Sequence, residues 1–283
     1  MTGRVVILGS VNIDFTAVTP LLPKPGTTVA ATAFTQSQGG KGANQAVAAA
    51  RTGSDVVFLG AVGTDALGDG ALDALAAEGV DIELVRRVQQ PTGVALVIVE
   101  QSGENEIVIV AGANQAARGR GFSWRRGDVA AAVLEVPVEA VEDFFNEARA
   151  GGAVTLLNAA PAVPGAERLV DSADIVCVNQ AELDALGHTV GAASLIVTLG
   201  PGGARVEHGG DVYVVPGWPV QVVDTVGAGD TFCGVLAARL AAGRGVREAA
   251  ELANRAAALS VTRAGARSSP TLSEIEEAFR GEG

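Results

Sequence analysis

The chain has 283 residues, 48% of them apolar, enough to build one large α/β core; with only 4% aromatics, Ala, Val and Leu must fill it. A formal net charge of −12 and the absence of any long Lys/Arg cluster exclude a nucleic-acid-binding face. No run of 18 apolar residues points to a membrane span, and a cytoplasmic location is expected.

In chain order, Val5–Gly9 reads as a short buried strand. Phe15–Val18 and Val29–Ala31 read as strands around a turn containing Pro23, Pro25 and Gly26. Gly39 to Thr52 has a helical apolar face at Ala43, Ala46, Val47 and Ala50, with Gly53 as its stop. Val56–Gly60 is a strand and Ala66–Glu78 a helix. Gly93–Glu100 and Glu106–Val110 give a hairpin signal across residues 101–105. Strands at Val129–Leu134, Val154–Leu157, Ile175–Val178 and Leu195–Thr198, with helix-like stretches between most of them, predict a parallel sheet covered by helices. The hairpin and the Phe15–Ala31 region do not fit that core and are assigned to a small β appendage. Arg205–Glu207, Val212–Val215 and Val220–Val223 read as antiparallel strands. Helices near Gly229–Ala242, Val246–Thr262 and Ser273–Phe279 close the chain. Arg118 to Arg126 reads as a solvated loop, and Cys177 and Cys233 as buried free thiols.

Three segments carry candidate chemistry. Asp224-Thr225-Val226-Gly227-Ala228-Gly229-Asp230 leads small residues straight into a helix with an Asp in its first turn. Free N–H groups at such a helix start attract a phosphoryl group, and Asp230 there can accept a proton from a hydroxyl. An isolated Asp at this place equally caps a helix. Gly39-Gly40-Lys41-Gly42-Ala43-Asn44 lacks the spacing of a Walker loop; instead it presents a Lys and an Asn suited to vicinal hydroxyls. Only two of the 20 basic residues are Lys, Lys24 and Lys41, which makes a Lys between glycines informative. Asn12 and Asp14 alternate outward just after the first strand, where open α/β sheets bind ligands; a turn-former reading is equally open. No dinucleotide fingerprint follows a strand, and His188 and His208 stand alone, so a Ser-His triad or metal hydrolase has little support.

Taken in order, these segments resemble the ribokinase-like (PfkB) family of carbohydrate kinases. The matching residues are GSVNID at 9–14, GGKGANQAVAAA at 39–50, TGVAL at 92–96, GAN at 112–114, LEVP at 134–137 and NAAPA at 158–162. They continue with NQAE at 179–182, TLGPGG at 198–203, DTVGAGDTF at 224–232 and VTRAGA at 261–266.

The resemblance implies a single domain over 1–283, a three-layer α/β/α fold with a mostly parallel sheet, and a small β-sheet lid from about 12–36 and 92–112. It implies ATP-dependent phosphorylation of the terminal hydroxyl of a sugar, ribose first. Alternatives are a kinase for deoxyribose, fructose or a nucleoside, or a non-catalytic sugar sensor. It makes Asp230 the base and the N–H groups of Gly227, Ala228 and Gly229 the anion hole. Asn12, Asp14, Gly40, Lys41, Asn44 and Glu135 would hold sugar; Asn179, Thr198, Gly200, Gly203, Gly229 and Asn254 would hold ATP. Glu182 would act through water on Mg²⁺. Asp224, Val226, Ser260, Arg263, Gly265 and Ser269 would form a K⁺ site. A homodimer through the lid is expected. The sequence departs from the family pattern at Gln180, between Leu186 and Leu195, where a helix is replaced by a short loop, and in the irregular 118–126 stretch.

Overall fold

The computed structural model describes residues 2–187 and 191–280. Its strands, in chain order, are β1 (Val5–Leu8), β2 (Asn12–Thr19), β3 (Ala33–Gly39), β4 (Val56–Leu59), β5 (Ala61–Gly63), β6 (Arg86–Val88) and β7 (Gly93–Glu100). They continue with β8 (Asn105–Val110), β9 (Val129–Val133), β10 (Val154–Asn158), β11 (Ile175–Asn179), β12 (Ser194–Thr198), β13 (Gly203–His208) and β14 (Asp211–Pro216). The helices are α1 (Lys41–Arg51), α2 (Ala66–Ala77), α3 (Val138–Ala150) and α4 (Glu167–Ser172). After them come α5 (Gln180–Leu186), α6 (Ala228–Ala241), α7 (Val246–Ser260) and α8 (Leu272–Ala278).

Eight strands form the main sheet in the order β14-β13-β12-β11-β10-β9-β1-β4. β12 through β4 in that order run parallel, while β13 and β14 are antiparallel. The parallel strands are short, apolar and buried on both faces, as strands sandwiched between helices must be. Alternation in β1 assigns the two faces. Val5 and Ile7 pack with Ala43 and Val47 of α1, Phe232 and Leu236 of α6 and Ala249 and Ala253 of α7. Val6 and Leu8 pack with Val141, Phe144 and Phe145 of α3, Leu169 of α4 and Leu183 of α5. The result is three layers. Burying one of these large side chains stabilises the fold by roughly 1.5–3 kcal/mol.

A second, four-stranded sheet runs β3-β2-β7-β8 and takes up both segments assigned to the appendage. Two sequence expectations are corrected here. Val29–Ala31 is not a strand; the pairing with β2 lies further on, at Ala33–Gly39, where Val18 faces Ala33 and Asn12 faces Gly39. The sequence AFTQSQG carries no apolar alternation because most of this strand is exposed. Val220–Val223 is not a strand either. The N–H groups of Val223 and Asp224 donate to the carbonyl of Val261, just past α7, rather than to a neighbouring strand. The short parallel pair β5-β6 was not legible, three residues being too few to show a period.

Residues 118–126 form an irregular segment, as expected, yet it is anchored: Phe122 and Trp124 pack edge-on, and Trp124 packs on Phe144. Cys177 and Cys233 are free and buried. His188 lies outside the described residues, as does part of the stretch between Leu186 and Leu195. Among the described residues no helix is long and apolar enough to cross a membrane.

Candidate active site

The C-terminal ends of β1, β9, β10, β11 and β12 and the starts of α1, α5 and α6 converge on one side of the main sheet, the place where open α/β sheets bind ligands. A cleft of about 190 Å³ opens there, lined by Lys41, Asn158, Asn179, Glu182, Thr198, Gly227, Ala228, Gly229, Asp230 and others.

Helix α6 begins after Gly227, whose φ of 77° is left-handed. A Cβ at that position would lie 2.2 Å from the Ala266 carbonyl oxygen, so both the turn and its close approach require glycine. Among the described residues the N–H groups of Gly227 and Gly229 find no protein acceptor, while that of Ala228 makes a long 3.3 Å bond to the Thr225 carbonyl. Asp230 sits in the first turn of α6 and is buried. Burial pushes its carboxyl up to about 6; the Lys41 ammonium and the amides of Asn44 and Gln45 pull the other way, and Glu135 adds to the rise. Asn44 Nδ2 donates to Asp230 Oδ2 at 3.0 Å and Gln45 Nε2 to Oδ1 at 3.3 Å. These contacts need α1 and α6 to lie close. Gly234, one turn beyond Asp230, permits it: a Cβ there would meet the Gln45 carbonyl oxygen at 2.4 Å. Burial depresses the Lys41 ammonium, but Asp230, Glu135 and Glu182 more than offset this and hold it above its usual value.

Asn12 and Asp14 open β2 rather than extending from β1. Asn12 Oδ1 accepts from Asn114 Nδ2 at 2.8 Å, and Asn114 also brackets the Val11 backbone through its N–H and carbonyl. Asn114 therefore aims Asn12, and the sequence reading gave it no role of its own. The Asp14 carboxylate has no hydrogen-bond partner among the described residues; burial first and Glu135 second raise it, against Arg267 and Lys41. Gly40 lies against the Ser10–Asn12 backbone. Glu135, just past β9, accepts from the Lys41 N–H at 3.0 Å and from the Ser10 hydroxyl, so it caps α1, which has no cap of its own. Asn12, Asp14, Gly40, Lys41, Asn44 and Glu135 thus gather around the start of α1.

On the other side of the cleft Asn179 caps α5 in a reciprocal box. Its Oδ1 accepts from the Glu182 N–H, and Glu182 Oε2 accepts from the Asn179 N–H, both at 2.8 Å. Gln180 turns along the helix to Asp184. Thr198 lines the cleft, whereas Gly200, Gly203 and Asn254 lie beyond it; Asn254 Nδ2 instead holds the Pro216 carbonyl at the end of β14.

The expected cation positions fall on two adjoining loops. Asp224 accepts from the Val226 N–H at 3.0 Å and from the Gly265 N–H at 2.9 Å, joining the segment before α6 to the one after α7. Among the described residues the buried Ser269 hydroxyl finds no partner. The Ser260 hydroxyl is spent on Ala257, and the Arg263 side chain pairs with Glu274 at 2.6 Å, so neither side chain points at the site; their carbonyls are the groups that could. Among the described residues no three His, Cys, Asp or Glu side chains converge into a metal cage.

This arrangement offers a buried carboxylate, unpartnered N–H groups at a helix start and a lysine around one cleft, which suits phosphoryl transfer to a hydroxyl. The sequence model described as pfkB family carbohydrate kinase matches residues 2–272. The chain belongs to that family. The kinase is 35% identical to the ribokinase of Haemophilus influenzae, covering 98% of each chain. It is 36% identical to that of Bacillus subtilis, covering 97% of this chain and 98% of the other. The structure of Arabidopsis thaliana ribokinase complexed with ribose and ATP superposes with a TM-score of 0.86 at 30% identity, covering 99% of both chains. The three-layer fold and the small separate sheet are those of this family, and the kinase uses ATP to phosphorylate a sugar.

Proposed function

We propose that the chain transfers the γ-phosphoryl group of ATP to the terminal hydroxyl of ribose, giving ribose 5-phosphate and ADP. The observation that carries this reading is Asp230: a buried carboxylate raised to about 6, beside a lysine and in the first turn of a helix at whose start the Gly227 and Gly229 N–H groups find no acceptor among the described residues. In the ionised form Asp230 takes the proton of the hydroxyl as its oxygen bonds to the γ-phosphorus. The bond to the β,γ-bridging oxygen breaks, and its electron pair leaves on ADP. The N–H groups of Gly227, Ala228 and Gly229 face the negative charge on the moving phosphoryl group. Ala228 must give up its long bond to Thr225 to join them. Asn12, Asp14, Gly40, Lys41, Asn44 and Glu135 hold the sugar hydroxyls. Asn179, Thr198 and Gly229 hold the nucleotide within the cleft. Gly200, Gly203 and Asn254 lie beside it along the β13–β14 edge.

A Mg²⁺ arriving with the nucleotide neutralises phosphate charge when bound. Glu182 suits it through water, since one carboxylate oxygen is fixed on Asn179 and the other is free to accept. The Ser269 hydroxyl, without a partner among the described residues and four positions after Gly265, suits a K⁺ site made with carbonyls of Val226, Ser260, Arg263 and Gly265. The four-stranded sheet acts as a lid and pairs with a second copy. Use of ATP and two reduced buried thiols suit the cytoplasm. The test is ADP release over a panel of pentoses, hexoses and nucleosides. Ribose should give the highest kcat/KM; a higher value for deoxyribose, fructose or a nucleoside would overturn ribose as the substrate.

A further inference from the structure

Arg267 lies between Gly265 and Ser269, outside the residues singled out by motif. Its side chain runs back along α1 into the site. Nε donates to Asn44 Oδ1 at 3.3 Å and Nη2 to the Gly39 carbonyl at 3.4 Å. The loop that carries it is fixed at the far end of the same helix, where Arg51 Nη1 donates to the carbonyls of Arg267 and Ser269, both at 2.8 Å. Arg51 is itself paired with Glu78 at 2.5 Å. The 267–269 backbone is thus pinned at the last turn of α1 while the Arg267 guanidinium reaches its first. Burial lowers Arg267 to about 10, with Glu78 and Asp14 opposing, so it remains charged near pH 7.

A guanidinium only donates. The Asn44 atom facing it must therefore be the oxygen, and the opposite atom, Nδ2, then faces Asp230 Oδ2. An Asn side chain released from Arg267 can rotate and lose or invert that contact. We propose that Arg267 is a positioning residue for phosphoryl transfer: it locks the amide of Asn44 in the orientation that donates to the catalytic base, and ties this lock to the loop of the expected cation site. This inference rests on Asp230 being the base. It does not depend on which sugar is used.

The experiment is a double-mutant cycle of Arg267→Met and Asn44→Ala, run with the best acceptor of the sugar panel, so that a failure of ribose as substrate leaves the cycle intact. Arg267→Met should lower kcat about tenfold, the scale of losing a charge-assisted hydrogen bond. In the Asn44→Ala background the same change should lower kcat less than twofold. Arg267→Lys, which keeps a cationic donor, should recover most of the loss. The acid limb of kcat/KM should move to higher pH in Arg267→Met and return in Arg267→Lys, since Asp230 loses a donor to its ionised form. The other groups acting on Asp230, namely Lys41 and Gln45 from α1, Glu135 after β9 and Cys233 on α6, are unchanged in these variants. Losses that multiply in the double variant, or an unmoved acid limb, would overturn the positioning role. If Arg267→Met fails to fold, Arg267→Gln, uncharged and too short to reach Asn44, replaces it: an acid limb moved to higher pH upholds the lock, and an unmoved one overturns it. A base other than Asp230 would show separately, as full activity in Asp230→Asn.

Discussion

Asp230 is buried and raised to about 6 while still accepting two amide hydrogen bonds. That balance keeps it ionised at neutral pH yet basic enough to share a hydroxyl proton in the transition state. Replacement by Asn preserves shape and removes the proposed base. Asp230→Asn should leave sugar and nucleotide binding near wild type and lower kcat by roughly 10²–10⁴. Isothermal titration and steady-state rates check both halves. The pH dependence follows from the raised carboxyl. The ionised form is required, so kcat/KM should fall as pH drops through about 6, approaching tenfold per unit below it. A limb near the ordinary aspartate value would place the base elsewhere.

At the scale of elements, two loops make one unit. Gly227 presses on the Ala266 carbonyl, and Asp224 joins the Val226 and Gly265 N–H groups, so the helix start proposed to face the phosphoryl group is braced by the segment after α7. A large monovalent cation in that brace would fix the Val226–Gly229 backbone without touching substrate. Initial rates at constant ionic strength should be several-fold higher in K⁺ than in Na⁺ or a bulky organic cation. Ser269→Ala, which removes a buried hydroxyl that has no protein partner, should weaken this activation while leaving thermal stability nearly unchanged. Equal rates in all three salts would return Asp224 to a purely structural role.

Among the described residues the small sheet carries a conspicuous exposed apolar surface. Every residue of β8 is exposed, with Ile107, Val108 and Ile109 each more than half accessible, and Phe34 on β3 is 64% accessible. β8 and β3 are also the two edges of the small sheet, and an apolar sheet with open edges invites pairing with another chain. A second copy placed sheet to sheet would cover it. Light scattering at micromolar concentration should give twice the monomer mass, and Ile107→Lys with Ile109→Lys should shift it to monomer with the main domain still folded. A wild-type monomer would rule out the dimer.

The sequence by itself determined the parallel core and the small-residue turn into α6 on which the proposed chemistry rests. Short buried strands have to be continuous apolar runs, and a phosphate-facing helix start has to be built from contiguous small residues. Both are local patterns, so Val5–Leu8, Val129–Val133 and Gly227–Asp230 were legible. β3 and the Val220–Val223 segment were not. An exposed strand in a small sheet needs no alternation, and a β-branched run needs a neighbour that only the fold can supply. The parts that orient the site were also decided by tertiary structure. Asn114 aims Asn12 from 102 positions away, Gln45 meets Asp230 across 185, and Arg267 meets Asn44 across 223. A polar side chain that works across such a distance leaves no period or spacing in the chain. Its partner is set by where the sheet order and the close packing of α1 on α6 bring the backbone.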